Sequence, residues 1–520
     1  MAAKLAIIFG LFITVVPGAY AVTPKRFRYL VLLIASLVSY AVYSGVMSLF
    51  LLFTIITVYF AGIGIDKVNK RCVLQCEGKE KPERKLLKKK AKSRGGLIMT
   101  AAIIINLGFL AVLKYFNFFA EAGTGILNLF GLNLTSPAIH VILPLGISYY
   151  TLQALSYIID VRGGKYAAEK NIFKLALFIS FFPQLNEGPF GRYDKLAPGL
   201  FGGEKLKADN YYRGFLVILT GLFKILVVSD RLSLPVTEIF KNYSNYGGWV
   251  VALGALLFTV QLYAEFSGYI DIAAGIGKLY GIELAENFNL PFIAQDVSDF
   301  WRRWHISLGA WFRDYVFYPL SMNKTSMKIR EKIGGKKAEF IILAFTLLIV
   351  WSLTGLWHGA NLKYLVYGLY YFALMILHET LKPVFSGLYR LLKLNESGRL
   401  IKTLRIAKTL ILVLIGMLLF RADNLTVFGK MFASMFSTVN NSFNALNFIE
   451  LKDFILALIG AAVLIVFGII KANGFSAYRF VCGRGFLVKY AVCFVFVLIV
   501  VIFGAYGSGY SAPDPIYGGF

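Results

Sequence analysis

The sequence predicts an all-α, multi-pass membrane protein with about 11–13 membrane helices, re-entrant or tilted pieces included. Three observations lead there. Of 520 residues 58% are apolar and only 16% charged, with a mean hydropathy of +0.67, which is more apolar than a soluble domain tolerates. Apolar stretches near the roughly 20 residues needed to cross a bilayer recur along the whole chain. Basic residues gather between those stretches rather than within them.

In order, the apolar stretches lie at 5–22, 29–43, 46–64, 97–119, 139–159, 171–185, 211–228, 248–276, 340–357, 364–378, 405–420, 454–471 and 487–506. The first, with Lys4 before it and Ala19-Tyr20-Ala21 near its end, imitates a signal peptide. Its single basic residue and the hydrophobic segments that follow at once favour a retained first membrane helix. Segment 171–185 is short for a crossing and ends in Phe181-Phe182-Pro183, which suits a re-entrant or tilted piece buried among helices. Linkers rich in Gly, Ser or Pro are lacking, as are 20–50-residue repeats, so residues 1–520 are expected to form a single membrane domain.

The 54 Lys and Arg exceed the 28 Asp and Glu, a formal net charge of +26. In a soluble protein this would suggest nucleic acid. In a membrane protein it reports topology, because Lys and Arg collect in cytoplasmic loops and meet anionic headgroups there. The segment from Asp66 to Arg94 holds twelve Lys/Arg against four Asp/Glu, a net of +8, and is expected to be a cytoplasmic loop. Weaker clusters follow at Lys324–Lys337 and Lys393–Lys408.

Four cysteines, Cys72, Cys76, Cys482 and Cys493, are too few for a disulfide framework. The Cys72/Cys76 spacing would suit half a zinc site, but no second Cys or His pair stands nearby, so no metal is expected.

Chemistry concentrates between Gln261 and Ala360, where charges, histidines and tryptophans stand in apolar surroundings. A charge at the centre of a membrane helix costs about 2.5–3.5 kcal/mol on insertion scales and normally has a partner or a function. The stretch from Asp299 through Trp301, Arg302, Arg303, Trp304, His305 and Leu308 to Pro319 reads as an amphipathic helix, with Trp301, Trp304, His305 and Leu308 on one face. Two readings stand side by side: an interfacial anchor belt of Trp and Arg, or part of a catalytic site. The second stretch, Trp351 to Asn361, puts His358 at the end of a strongly apolar helix, beside Trp357 and flanked by Gly355 and Gly359. A neutral imidazole there is suited to general-base work, and the glycines would let a substrate approach the backbone. A packing histidine is the alternative. Of the other two histidines, His140 and His378 sit at expected segment ends without comparable polar company and read as structural.

At these residues the chain resembles the membrane-bound O-acyltransferase family, and within it the bacterial branch that contains the membrane subunit of alginate O-acetylation. The resemblance rests on LPLGISYYTLQALSYIIDVRGG at 143–164, FFPQLNEGPFGRY at 181–193, QLYAEFSGYIDIAAGIGKLYGIELAENFNLPF at 261–292, DFWRRWHISLGAWFRDYVFYPL at 299–320 and LTGLWHGAN at 353–361. The N-terminal KRFRYLVLLIASLVSYAVY at 25–43 is similar too, and the family-like core covers about 143–361. The resemblance implies that His358 is the catalytic histidine and His305 the second motif residue. It also implies a ring of helices around a thin catalytic centre, with a funnel on each face.

An acyl thioester, acetyl-CoA or an acylated carrier protein, would be a substrate rather than a bound cofactor; no cofactor is expected. The acceptor would be a hydroxyl of an extracytoplasmic polysaccharide, or an extracytoplasmic acetyltransferase partner that completes transfer, and the location the bacterial cytoplasmic membrane. Trp304, Arg303, Trp357, Asn361, Asp271, Glu265 and Arg192 are candidates for binding or orienting substrate, with structural ion pairing an equal reading for Asp271, Glu265 and Arg192. No Ser or Cys sits in a nucleophile elbow, so direct transfer is expected over an acyl-enzyme on such a residue. D-alanyl transfer toward teichoic acid is the alternative within the family, and a transporter or channel the alternative outside enzymes. Asn186-Glu187, Glu265, Ser321-Met322 and the C-terminal 514–520 depart from the family pattern and bear on acceptor and partner identity.

Overall fold

The computed structural model describes residues 7, 10–137, 143–185, 187–436, 450–474, 480–481 and 483–506. His140, Asn186, Cys482 and the C-terminal 514–520 lie outside the described residues. Within them the protein is helical throughout, with no strand and one isolated bridge, Phe288 to Trp304. Seven helical stretches among the described residues are long and apolar enough to cross a membrane: Lys25–Cys76, Lys81–Leu129, Trp249–Leu279, Gly335–His358, Arg399–Arg421, Leu451–Ala472 and Phe486–Phe503. Apolar side chains such as Leu487, Val495 and Ile502 point outward on the last of them, as contact with lipid tails requires.

The difference from the larger expected number has local causes. Segments 29–43 and 46–64 fall in one continuous stretch, interrupted at Gly45, whose φ of 55° needs a residue without a Cβ. Segments 139–159 and 171–185 appear as the shorter helices Ile147–Gly163 and Ile172–Ser180. The second has 9 residues, started by the Asn171 side chain accepting from Phe173 N–H, and at 1.5 Å per residue it reaches about 14 Å, half a crossing. The tilted or re-entrant reading suits it.

The basic segment 66–94 is not a loop. Asp66–Cys76 completes the helix α1 (Ser48–Cys76) and Lys81–Arg94 begins α2 (Lys81–Leu110), leaving only Glu77–Glu80 as a turn. Lys, Arg, Leu and Ala are strong helix formers, and Pro82 stands in the first turn, where its missing N–H costs nothing.

Chain contacts divide the protein into two compact units. Of the described residues, the first comprises those up to Phe215 together with Ala273–Ala285. In it α1 packs on Ile147–Gly163, where Gly62 admits the Tyr157 ring, and the Tyr40 hydroxyl donates to the Leu145 carbonyl at 2.8 Å. The second comprises Leu216–Ile272 and the described residues from Glu286 onward. It holds most of α3 (Trp249–Leu279), then α4 (Val297–Arg303), α5 (Ile306–Phe312), α6 (Gly335–His358), α7 (Leu362–Leu391) and α8 (Arg399–Arg421).

Two close approaches fix the second unit. A Cβ on Gly221 would lie 2.5 Å from the Gly268 carbonyl oxygen, so the segment carrying Lys224 runs against α3 backbone to backbone. Likewise a Cβ on Gly355 would meet the Tyr364 carbonyl oxygen at 2.2 Å, and one on Gly368 the Trp351 carbonyl oxygen at 2.1 Å. Helices α6 and α7 therefore touch at glycine on both sides.

Candidate active site

The segment expected to be one amphipathic helix is broken at its centre. Helix α4 ends at Arg303, Trp304 is extended, and His305 adopts the left-handed conformation (φ 49°, ψ 50°) before α5 begins. Trp301, Trp304, His305 and Leu308 thus do not share a helical face. The cause lies upstream, in residues 287–289. Asn289 N–H donates to the Arg303 carbonyl at 2.9 Å and Ile306 N–H to the Asn287 carbonyl at 3.0 Å, flanking the antiparallel Phe288–Trp304 bridge. A left-handed non-glycine residue costs on the order of 1–3 kcal/mol and persists only where its surroundings enforce it. Here they do so with side chains as well. The Asn287 Oδ1 accepts from Ser307 N–H at 3.0 Å and from the Ser307 hydroxyl at 2.8 Å, and lies 3.2 Å from His305 Nδ1.

His305 is 2% exposed, with its imidazole edge-on to the Phe266 ring at 4.8 Å. Burial, and then the neighbouring His358, hold its pKa well below the ordinary imidazole range, because both disfavour a cation. His305 is accordingly neutral at physiological pH.

His358 ends α6 and is also 2% exposed. The Trp357 ring contacts both histidines, 5.8 Å from His305 and 5.0 Å from His358. Phe420 from α8 and Tyr367 from α7 meet His358 edge-on at 5.2 and 5.8 Å. The 53 positions separating the histidines in sequence are thus closed by the fold.

The other candidates divide. Trp357 packs against both imidazoles. Trp304 is 2% exposed and stacked among Phe288, Phe292, Phe300 and Tyr263, which makes it core packing and not a membrane-interface anchor. Arg303 is occupied by Asp299 at 3.0 Å and the Asn289 carbonyl, stapling the bridge in place. Asn361 caps α7 by accepting from Lys363 N–H. Asp271 pairs with Lys224 at 2.6 Å, and Glu265 accepts from the Ser229 hydroxyl at 3.4 Å. Arg192 belongs to the first unit, as does Glu187, buried there at a φ of 63°.

The glycines flanking His358 do not leave room for a substrate. Gly355 is filled by the Tyr364 backbone and Gly359 by the Tyr364 ring, so their small size serves helix packing. His378 lies inside α7, not at a segment end, and lines a cavity of about 740 Å³ together with Arg302, Lys382 and Lys408. Asn287, Phe266, Tyr367 and Phe420 escaped sequence reasoning. Asparagine two residues before Asn289-Leu290-Pro291 looks like ordinary turn chemistry, and a phenylalanine in an apolar helix carries no signal of its own.

Comparison with known proteins bears on what these histidines serve. The model of the membrane-bound O-acyltransferase family matches residues 165–420, which include both histidines and Phe420. The protein named probable alginate O-acetylase from Pseudomonas syringae pv. tomato is 33% identical over 465 residues, covering 88% of this chain and 80% of that protein. The chain belongs to the membrane-bound O-acyltransferase family. It is a multi-pass membrane O-acyltransferase. Other relatives match less of it: the peptidoglycan O-acetyltransferase of Helicobacter pylori is 30% identical over 54% of this chain and 55% of its own length. The teichoic acid D-alanyltransferase of Bacillus subtilis is 33% identical over 44% of this chain and 58% of its own length.

Proposed function

We propose that this O-acyltransferase moves an acetyl group from a cytoplasmic thioester to a hydroxyl of an extracytoplasmic polysaccharide, directly or through an extracytoplasmic acetyltransferase partner. The observation that carries the site assignment is the pair of buried imidazoles, each 2% exposed, that both contact the Trp357 ring. His358 acts as general base. It takes the proton of the attacking hydroxyl as that oxygen bonds to the thioester carbonyl carbon. When the tetrahedral intermediate collapses the C–S bond breaks, and the imidazolium returns the proton to the departing thiolate. Such assistance contributes about 10²–10⁴-fold in rate. His305 orients a reacting group, and the aromatic walls of Phe266, Trp357, Tyr367 and Phe420 keep bulk water from the thioester.

The acetyl group and the polysaccharide are favoured over D-alanyl transfer by coverage, since the alginate O-acetylase matches 88% of the chain against 44% for the D-alanyltransferase. The donor is acetyl-CoA or an acetylated carrier protein, reaching the site from the cytoplasmic side of the bacterial cytoplasmic membrane. The positive-inside rule puts the basic α1–α2 hairpin on the cytoplasmic side. Asp271 and Glu265 act at one remove, by tying the segment of Lys224 and Ser229 to α3. The experiment is transfer of labelled acetyl from each donor to polysaccharide by protein in lipid nanodiscs. Labelled ester formed from either donor supports the reading; no acetyl ester from either, with ester formed from a D-alanylated carrier protein offered in parallel, would refute it.

A further inference from the structure

The hydrogen bonds around Asn287 fix more than the shape of the backbone. A carboxamide can usually be turned so that oxygen and nitrogen exchange places. Here it cannot. The Ser307 backbone N–H only donates, so the Asn287 atom 3.0 Å from it is the carbonyl oxygen. That same oxygen lies 3.2 Å from His305 Nδ1. Two lone pairs would repel at that distance, so Nδ1 carries a proton and donates it to Asn287. All three residues are buried, with Asn287 1% and Ser307 6% exposed, so water does not loosen the arrangement.

A neutral imidazole has one N–H. We infer that Asn287 is a positioning residue that locks His305 in the Nδ1–H tautomer, so that its Nε2 faces the reaction as a hydrogen-bond acceptor. This rests on the assignment of transfer to the His305–His358 pair and decides between two roles for His305. An Nε2 lone pair cannot stabilise negative charge developing on the thioester carbonyl oxygen, which needs a donor. It can accept a hydrogen bond from a neighbouring hydroxyl of the acceptor sugar, and so aligns that sugar for attack while His358 removes the proton of the attacking hydroxyl. Neutrality of His305 is supported by its burial and by His358 beside it.

With only four histidines in the chain, the tautomer is directly readable. The full-length protein is labelled with ¹⁵N-histidine, placed in lipid nanodiscs and examined by solid-state nuclear magnetic resonance, the His305 signals being assigned by their loss in His305→Ala. The wild-type protein should show a neutral His305 protonated at Nδ1. Protonation at Nε2, or at both nitrogens near neutral pH, would overturn the inference, and this result needs no Asn287 variant to fold.

Two variants then separate positioning from mere support. Asn287→Asp keeps the accepting oxygen and adds a charge that favours the imidazolium. It should retain the Nδ1–H form and move the acidic limb of kcat/KM upward by about 1–3 pH units. Asn287→Ala should lose the tautomer preference and lower kcat by about 10²–10⁴-fold, with the donor KM unchanged. An unmoved pH profile in Asn287→Asp, with the tautomer intact in Asn287→Ala, would reduce Asn287 to a backbone support and refute the inference. His358→Ala is assayed alongside. Full transfer by that variant would sink the site assignment and the role given to Nε2 together, whereas its inactivity with the wrong tautomer at His305 would sink the tautomer alone.

Discussion

Substituting Gly355 by alanine tests whether His358 is placed by the contact between α6 and α7. The added methyl would sit 2.2 Å from the Tyr364 carbonyl oxygen, 3.1 Å from its carbonyl carbon and 3.3 Å from Gly368 N, all of them backbone. No rotamer change relieves backbone against backbone. Ordinary contact begins near 3.4 Å, so the helices must separate by about 1.2 Å (3.4 − 2.2) along the contact. His358 lies three residues further along the same helix, less than one turn, and must follow α6 away from Tyr367 on α7. A misplacement of about 1 Å at a reacting group can cost about 10²-fold in rate. The overpacking itself costs about 1–3 kcal/mol, which leaves the protein folded. Gly355→Ala in nanodiscs is therefore expected to keep its thermal transition within several degrees of wild type while kcat for acetyl transfer falls about 100-fold. A folded Gly355→Ala enzyme with wild-type kcat would refute the argument that this crossing positions the histidine.

Three further expectations follow from individual contacts. Lys224→Ala removes the cation 2.6 Å from Asp271 and should destabilise the protein by about 3–5 kcal/mol, while Lys224→Met combined with Asp271→Leu recovers most of the loss; thermal unfolding in nanodiscs reads both. Arg303→Lys should lower stability by about 1 kcal/mol or less and leave the donor KM unchanged, because Arg303 is bound to Asp299 and Asn289; a raised KM would return it to the substrate-binding residues. His305 has its folded pKa depressed, so below the unfolded value of about 6.5 the unfolded chain binds the extra proton first. Stability should be full above that value and decline as pH falls below it, with a shallower decline in His305→Asn measured by unfolding at stepped pH.

Much of the fold was legible because lipid leaves the chain few options: a long apolar segment must satisfy its own backbone, and a helix does so. His358 at the close of an apolar helix could be read from Trp351 to Asn361 alone. The break at His305 could not. It depends on residues 287–289 pairing with 303–306, and the local pattern from Asp299 to Pro319 has the spacing of an uninterrupted helix. For the same reason Trp304 and Arg303 read as headgroup anchors or substrate-binding residues, when tertiary pairing buries one and staples the other. The basic segment 66–94 misled in the opposite sense, since charge density speaks to membrane side and not to backbone conformation. Asn287 shows where sequence reading stops: its place in a turn is ordinary, and only three donors converging on one oxygen distinguish it.

The most direct measurement is the acetyl-ester content of surface polysaccharide from cells carrying the wild-type protein or His358→Ala, with membrane levels of the two matched. Loss of ester in the variant, with the polymer otherwise unchanged, is the predicted result. Ester at wild-type level in cells carrying a folded His358→Ala protein would contradict the assignment of acyl transfer to this histidine.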